Sequence, residues 1–256
     1  MNKKKVCNTE VISNDFLGSN IYHIKVYAPE ITADAQPGQF VHVKTGYDDA
    51  PLLRRPLSIA DIRGDRMSLV YRVVGKGTKW MSECKKGDAL NVMGPLGRGF
   101  TVDTQKPLLA GGGIGIAPMI YLARVLSKSA RVTLLLAGRS EEDIKPWTPL
   151  FNEFDVISHI TTDDGSVGVC GNVMALFPEL CEKECFDAVY ACGPTPMLKA
   201  LKEYAVKSSI PCQLSLESHM ACGLGTCLAC SCSTTDKKRV KICLNGPVFD
   251  AGEIEL

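Results

Sequence analysis

Histidine is scarce in this chain. Only His23, His42, His159 and His219 occur, and their spacing suggests neither a catalytic triad nor a histidine metal site. No apolar run approaches the roughly 18 residues that a membrane-spanning helix needs, so no membrane segment is expected. Charge of one sign is lacking too: the net charge of +1 excludes a general binder of nucleic acid or other polyanions. The start, Met1-Asn2-Lys3-Lys4-Lys5-Val6-Cys7-Asn8, has a basic run but no apolar stretch behind it, so it does not read as a secretory signal. Composition is otherwise that of an ordinary globular protein, with 45% apolar and 22% charged residues among 256. That length suffices for one large or two small domains plus an appendage. Cysteine, by contrast, is abundant, with twelve residues. Without an export signal, these thiols point to a reducing cytoplasm, where thiolates bind metal instead of pairing.

Three of them crowd one short stretch, Glu217-Ser218-His219-Met220-Ala221-Cys222-Gly223-Leu224-Gly225-Thr226-Cys227-Leu228-Ala229-Cys230-Ser231-Cys232. Cys222, Cys227 and Cys230 stand in the order C-x4-C-x2-C, and Cys243 follows in the tail. This is the plant-type ligand order of a [2Fe–2S] cluster. Gly223 and Gly225 let the loop take positive φ and close round an inorganic core. Such a loop can also turn backbone N–H groups toward sulfur. Four buried core thiols are a poor account of this spacing. Structural zinc, the stronger alternative, more often pairs two C-x2-4-C knuckles. Cys232 competes with Cys230 for the third position, and the spacing favours Cys230.

Ahead of the cysteines the pattern divides in two. Up to about residue 100, short β-branched or alternating runs recur at Lys5–Ile12, Ile21–Tyr27, Gln39–Lys44, Ser58–Ile62, Met67–Val74 and Ala89–Met93, broken by Pro37-Gly38 and Arg63-Gly64-Asp65. A small barrel or sandwich is expected, with one short helix at Trp80–Cys84. Two turns in this unit look chemical. Arg54-Arg55-Pro56-Leu57-Ser58 offers a planar fork for phosphate, and Gly75-Lys76-Gly77-Thr78 stands ahead of a helix, where N–H groups face anions. Each is also readable as a plain surface turn.

From about Val102, strands at Lys106–Ala110, Arg131–Ala137, Val156–Thr161, Ala188–Cys192 and Cys212–Leu216 alternate with helices after Gly111 and near Trp147–Phe154, Val173–Leu180 and Met197–Val206. Alternation of this kind implies a parallel sheet. Gly111-Gly112-Gly113-Ile114-Gly115-Ile116-Ala117-Pro118 lies at the carboxyl end of the first strand, where such sheets bind nucleotides, although it departs from G-x-G-x-x-G. Ala191-Cys192-Gly193-Pro194 makes a second strand-to-helix turn at the same edge. Asp163-Asp164-Gly165-Ser166 reads as a tight turn only.

A cluster carries single electrons, whereas a nicotinamide exchanges a hydride, and a flavin can do both. The order of motifs therefore suggests nicotinamide, flavin, cluster, and then an acceptor or donor outside the chain. No pocket for an organic substrate is evident. Two other readings stay open: an NADH-dependent flavin/iron–sulfur reductase component of another system, such as an oxygenase or hydrogenase, and a regulatory module whose cysteines sense iron or oxidants.

Arg55-Pro56-Leu57-Ser58, Gly75–Thr78, Gly113, Gly115 and Pro118 in the form G-x-G-x-x-P, and Cys192-Gly193-Pro194 resemble, in that order, the motifs of the ferredoxin–NADP reductase superfamily. Ser215-Leu216-Glu217 and Met220-Ala221-Cys222-Gly223 narrow the resemblance to the electron-transfer subunits of type B dihydroorotate dehydrogenase, over nearly the whole chain. The fold so implied is α+β and multidomain: an N-terminal antiparallel β-barrel for FAD (1–101), a parallel-sheet α/β domain for NAD (102–210) and a small C-terminal [2Fe–2S] domain (211–256). The resemblance implies that Arg55, Pro56, Leu57 and Ser58, then Val70, Tyr71 and Arg72, then Gly77 and Thr78, hold FAD. Gly111, Gly112, Gly113, Gly115 and Pro118 would bind NAD, with Cys192 and Gly193 near the nicotinamide. Cys222, Cys227, Cys230 and Cys243 would ligate the cluster. The implied partner is an FMN-containing catalytic subunit that oxidises dihydroorotate in pyrimidine biosynthesis, assembled as a heterotetramer of two of each chain. NADH is expected over NADPH, with Arg139 the residue that could instead meet a 2′-phosphate.

Overall fold

The computed structural model describes residues 4–46 and 51–256. The basic start at Met1–Lys3 lies outside the described residues. Six strands form a closed antiparallel barrel: β1 (Lys5–Gly18), β2 (Ile21–Tyr27), β3 (Phe40–Val43), β4 (Arg55–Arg63), β5 (Arg66–Arg72) and β6 (Ala89–Leu96), joined in the order β1-β2-β5-β4-β3-β6. Closure leaves no edge strand open to another chain. Val11, Ile24, Val26, Val41, Val43, Leu69, Tyr71 and Val92 fill the interior, at the alternate positions that a period of two demands. A short helix, α1 (Pro29–Thr32), follows β2, and α2 (Lys76–Glu83) follows β5. The latter begins four residues before the expected Trp80, so Gly75 is its N-cap.

The second sheet has seven strands in the order β10-β9-β8-β7-β11-β12-β15. Its parallel part comprises β7 (Pro107–Gly112), β8 (Val132–Gly138), β9 (Val156–Thr162), β10 (Val169–Cys170), β11 (Ala188–Cys192) and β12 (Cys212–Ser215). Helices α3 (Ala117–Leu126), α4 (Glu141–Ile144), α5 (Phe177–Lys183) and α6 (Thr195–Lys207) connect these strands. Burial on both faces explains their near-continuous apolar runs. Along β7, Leu108 and Ala110 face one core while Leu109 faces the other. The expected helix at Trp147–Phe154 is reduced to a 3₁₀ turn over Thr148–Leu150. Trp147 is fully buried there, so the apolar run covers the face of β8 and β9 as a folded loop.

The tail carries a small hairpin of β13 (Ser231–Ser233) and β14 (Arg239–Lys241), then α7 (Ile242–Asn245) and β15 (Val248–Asp250). The last strand pairs antiparallel with β12, so the cysteine-bearing segment leaves the nucleotide sheet and returns to its edge. Barrel and sheet are locked by ions as well as by packing. Arg124 of α3 donates to both carboxylate oxygens of Asp61 on β4, at 2.5 and 2.9 Å, and its guanidinium lies 4.8 Å from the Phe154 ring.

Candidate functional site

The two anion-reading turns of the barrel meet. A Cβ placed on Gly77 would stand 2.7 Å from Arg55 Nε and 2.7 Å from Thr45 Oγ1, so only glycine lets the guanidinium lie across the first turn of α2. Thr78 folds its hydroxyl back on the helix start, accepting from the N–H groups of Val74 (2.9 Å) and Gly75 (3.2 Å). The Thr45 hydroxyl is buried and finds no partner among the described residues. A guanidinium, an unpaired hydroxyl and a helix N-terminus in one place suit a pyrophosphate. Arg54 is a brace instead: it donates to Asn91 Oδ1 at 2.5 Å and to the His42 carbonyl at 3.2 Å.

Pro56, Leu57, Ser58 and Val70 form the barrel wall of a cavity. Ile114 and Ala117 close it from the glycine turn after β7, and Ser215, Glu217 and Met220 close it from the segment after β12. Strand alternation decides which members of Val70–Arg72 take part. Val70 lines this cavity and Arg72 a second one. The Tyr71 side chain points into the barrel, stacked on Tyr22 and donating to Asn14 Oδ1 at 3.2 Å. Glu217 closes the Ser215-Leu216-Glu217 motif, which gives it no role of its own. It lines the cavity, and although its side chain keeps contact with solvent, the protein packed around the carboxyl raises it above the ordinary range.

The second cavity, of about 490 Å³, opens at the carboxyl end of β7. Here the strand order reverses, β8 lying on one side and β11 on the other, which is where open α/β sheets bind nucleotides. Gly112 and Gly113 line it together with Arg72, Asn172 and Pro194. Gly113 adopts φ +57° and faces open space. Gly115 does the opposite. A Cβ there would stand 2.5 Å from both the carbonyl carbon and the oxygen of Cys192, so this glycine lets the two nucleotide turns touch. Gly111 packs against Ile116, Gly193 against Met197, and Pro118 lies buried in the first turn of α3. These three shape the turn and do not line the cavity. Cys192 is buried behind it, where burial pushes its thiol far up. Arg72 Nε and Nη2 are buried without partners among the described residues, as a phosphate-binding guanidinium would be before its ligand arrives. Arg139 is tied to Asp143 through two hydrogen bonds, of 2.6 and 3.0 Å. Asp163, of the tight turn, also borders this cavity.

The cysteine loop is built from left-handed residues: Gly223 at φ +67°, Gly225 at φ +83° and Leu228 at φ +62°. Lys241 ties it down by donating to the Gly225 carbonyl at 2.7 Å. The Leu224 N–H approaches Cys222 Sγ at 3.3 Å. Burial opposes ionisation of Cys222, but the Thr226 hydroxyl and the N–H groups of Leu224, Cys227 and Thr226 outweigh it and hold the thiol at about 5. The Cys243 N–H faces Cys230 Sγ at 3.5 Å. Burial, followed by the Cys230 sulfur, pushes the Cys243 thiol up to about 12. Backbone N–H groups are thus aimed at two of the four sulfurs, Cys222 and Cys230. Two sulfur ligands to each of two irons is what a [2Fe–2S] core takes, and the N–H groups already aimed at sulfur suit thiolates. Among the described residues no three His, Cys, Asp or Glu side chains converge as a single ion would require. Cys232 faces the packed side of the hairpin, where burial raises its thiol. Met220, two residues before Cys222, reaches into the cavity walled by Pro56 and Ser58.

A six-stranded antiparallel barrel, a nucleotide sheet with its glycine turn at the reversal of strand order, and a cavity between them define a reductase of the ferredoxin–NADP reductase type, here extended by a cluster-binding segment. A solved structure described as an NADH-dependent reduced ferredoxin-NADP oxidoreductase matches with a TM-score of 0.87 and 30% identity, covering 97% of this chain and 90% of that one. The ferredoxin reductase of a carbazole 1,9a-dioxygenase shares the fold at TM-score 0.69 and 22% identity, over 81% of this chain and 67% of its own. A family model for the iron-sulfur cluster binding domain of dihydroorotate dehydrogenase B matches residues 217–255. The dihydroorotate dehydrogenase B (NAD(+)) electron transfer subunit of Lysinibacillus sphaericus is 40% identical, over 96% of this chain and 97% of the relative. That of Fusobacterium nucleatum is 37% identical, over 98% and 99%. The chain belongs to the family of dihydroorotate dehydrogenase B electron transfer subunits.

Proposed function

We propose that this chain carries electrons from dihydroorotate, oxidised on an FMN-containing partner subunit, through a [2Fe–2S] cluster and FAD to NAD⁺, in pyrimidine biosynthesis. The observation that carries this reading is the position of Met220, which lines the barrel-side cavity only two residues before Cys222. The segment that would hold single-electron chemistry therefore borders the place where flavin and nicotinamide would meet. When bound, the cluster supplies single-electron carriage and the flavin the exchange between single electrons and a hydride.

The residues divide the work. Arg55 and the start of α2 at Gly77 and Thr78 receive the FAD pyrophosphate, while Pro56, Leu57, Ser58 and Val70 present the wall for its ring system. The backbone of Tyr71 completes that edge, and Arg72 reaches from it toward the nicotinamide nucleotide. Gly112 and Gly113 offer backbone N–H groups to the NAD pyrophosphate. Gly111, Gly115, Pro118, Cys192 and Gly193 hold the two turns in contact. Cys222, Cys227, Cys230 and Cys243 ligate the cluster. Phe40, Leu216 and Met220 wall the cavity with apolar surface, which limits water at the reacting centre.

In chain order the FAD unit takes 1–101, the NAD unit 102–210 and the cluster unit 211–256, with β12 and β15 stitching the last to the sheet of the second. The partner assembly is a heterotetramer of two of each subunit, placed in the cytoplasm. No helix among the described residues is long and apolar enough to cross a membrane. The test is reconstitution of the purified chain with its FMN subunit, following NADH formation from dihydroorotate and NAD⁺. If the chain reduces dyes with NADH but the complex never links dihydroorotate to NAD⁺, the reading is wrong.

A further inference from the structure

The His42 side chain has no role in the cofactor sites, yet it is fully buried, and neither of its ring nitrogens has a hydrogen-bond partner among the described residues. An imidazole carries at least one N–H, and buried polar groups in folded proteins are almost always paired. The position is specific. On β3, His42 stands opposite Pro56 of β4 and opposite Met93 of β6. Its neighbours Val41 and Val43 face the barrel core, so the imidazole points outward, to the cysteine loop. A Cβ built on Gly223 would lie 2.6 Å from Nδ1 and 3.2 Å from Cε1. Gly223 follows Cys222 and holds φ +67°. The loop therefore comes down on the edge of the imidazole, and only a glycine allows the approach.

The chemistry the loop can offer a buried N–H there is sulfur. N–H groups directed at ligand or bridging sulfur stabilise the reduced cluster and raise its potential. We propose that His42 donates a hydrogen bond from its ring to the sulfur of the cluster at Cys222, either the ligand thiolate or the sulfide beside it, and so sets the cluster potential. This rests on the reading that the loop holds a [2Fe–2S] cluster. Strand β4 presents Pro56 to one redox group, and its neighbour β3 would then tune the other through His42, directly across the ladder.

The experiment compares His42→Leu and His42→Asn with the wild-type chain, each purified with the partner subunit. Iron, sulfide and flavin are quantified first, and the cluster potential is then measured by redox titration followed by EPR. Leucine removes the donor, whereas asparagine keeps an N–H near the Nδ1 position. The expected result is a potential lowered in His42→Leu by about a tenfold change in the reduction equilibrium, or 59 mV for one electron. His42→Asn should shift less than half as far, with flavin content unchanged in both. Should His42→Leu fail to assemble, the wild-type chain labelled with ¹⁵N-histidine carries the test. Pulsed EPR of its reduced cluster should show a histidine nitrogen coupling that is gone in His42→Asn. An unmoved potential with the cluster intact, an equal shift in both variants, or no histidine coupling overturns the proposal and leaves the functional reading standing. A wild-type chain without iron and sulfide overturns both.

Discussion

Replacing Gly115 by alanine tests how the nucleotide site is assembled. Its Cβ would meet the Cys192 carbonyl carbon and oxygen at 2.5 Å and the Gly193 nitrogen at 2.6 Å. All three are backbone atoms between a central strand and a helix, so no rotamer change relieves the clash. The gap is about 0.9 Å short of the 3.4 Å at which ordinary contact begins. The turn after β7 and the turn after β11 must move apart by that order. Overpacking of a rigid site costs about 1–3 kcal/mol, and immovable backbone places this case near the upper end. At about 2–4 °C per kcal/mol for a chain of this size, Tm should fall by about 6–12 °C. Because Gly113 and Pro194 of the same two turns line the cavity proposed for NAD, the KM for NADH in dye reduction should rise by about tenfold, equivalent to about 1.4 kcal/mol of binding. Gly113→Ala is the control: its φ of +57° meets nothing within 4 Å, so it carries only the left-handed strain of about 1–2 kcal/mol. A Gly115→Ala chain that melts within 2 °C of wild type, with an unchanged KM for NADH, would refute the argument.

Three further expectations follow from single contacts. Cys227→Ala should lose the cluster absorbance and electron exchange with the partner while NADH-dependent dye reduction largely survives; a full cluster spectrum in this variant would show that the ligand set is wrong. Asp143→Asn should free Arg139 from its two hydrogen bonds and raise kcat/KM for NADPH several-fold relative to NADH; an unchanged cofactor ratio would remove Arg139 from the specificity question. Arg124→Ala leaves the buried Asp61 carboxylate with only Arg63 beside it, so urea unfolding should show a loss of about 1.5–3 kcal/mol, the range for hydrogen bonds to charged groups. A loss under half that range would mean that Arg63 and solvent suffice.

Much of this architecture was written in local pattern. Alternating runs such as Ile21–Tyr27 marked barrel strands because one face of each must be buried, and Gly111–Pro118 marked the nucleotide turn because backbone must approach phosphate there. The C-x4-C-x2-C spacing marked the loop that turns the Leu224 N–H toward the Cys222 sulfur. What escaped local pattern depends on partners distant in sequence. Val248–Asp250 is a strand because β12 offers it an open edge, and Val169–Cys170 because β9 does. The apolar stretch Trp147–Phe154 satisfied a helical period but is spent on capping the sheet. Tyr71, between two cavity-lining neighbours, turns into the barrel through strand alternation alone. Nothing in the sequence marked His42, since a lone histidine has no spacing to read, and Glu217 was marked only as the end of Ser215-Leu216-Glu217, with no role attached. Only the fold places the one against Gly223 and the other in the cavity wall.

What the cysteine loop holds in the native complex decides whether this chain can carry single electrons. Anaerobic purification with the partner subunit, followed by metal and acid-labile sulfide analysis, should give iron and sulfide in equal amounts, with a visible spectrum that NADH bleaches. Zinc in that fraction, or iron without sulfide, would contradict single-electron carriage.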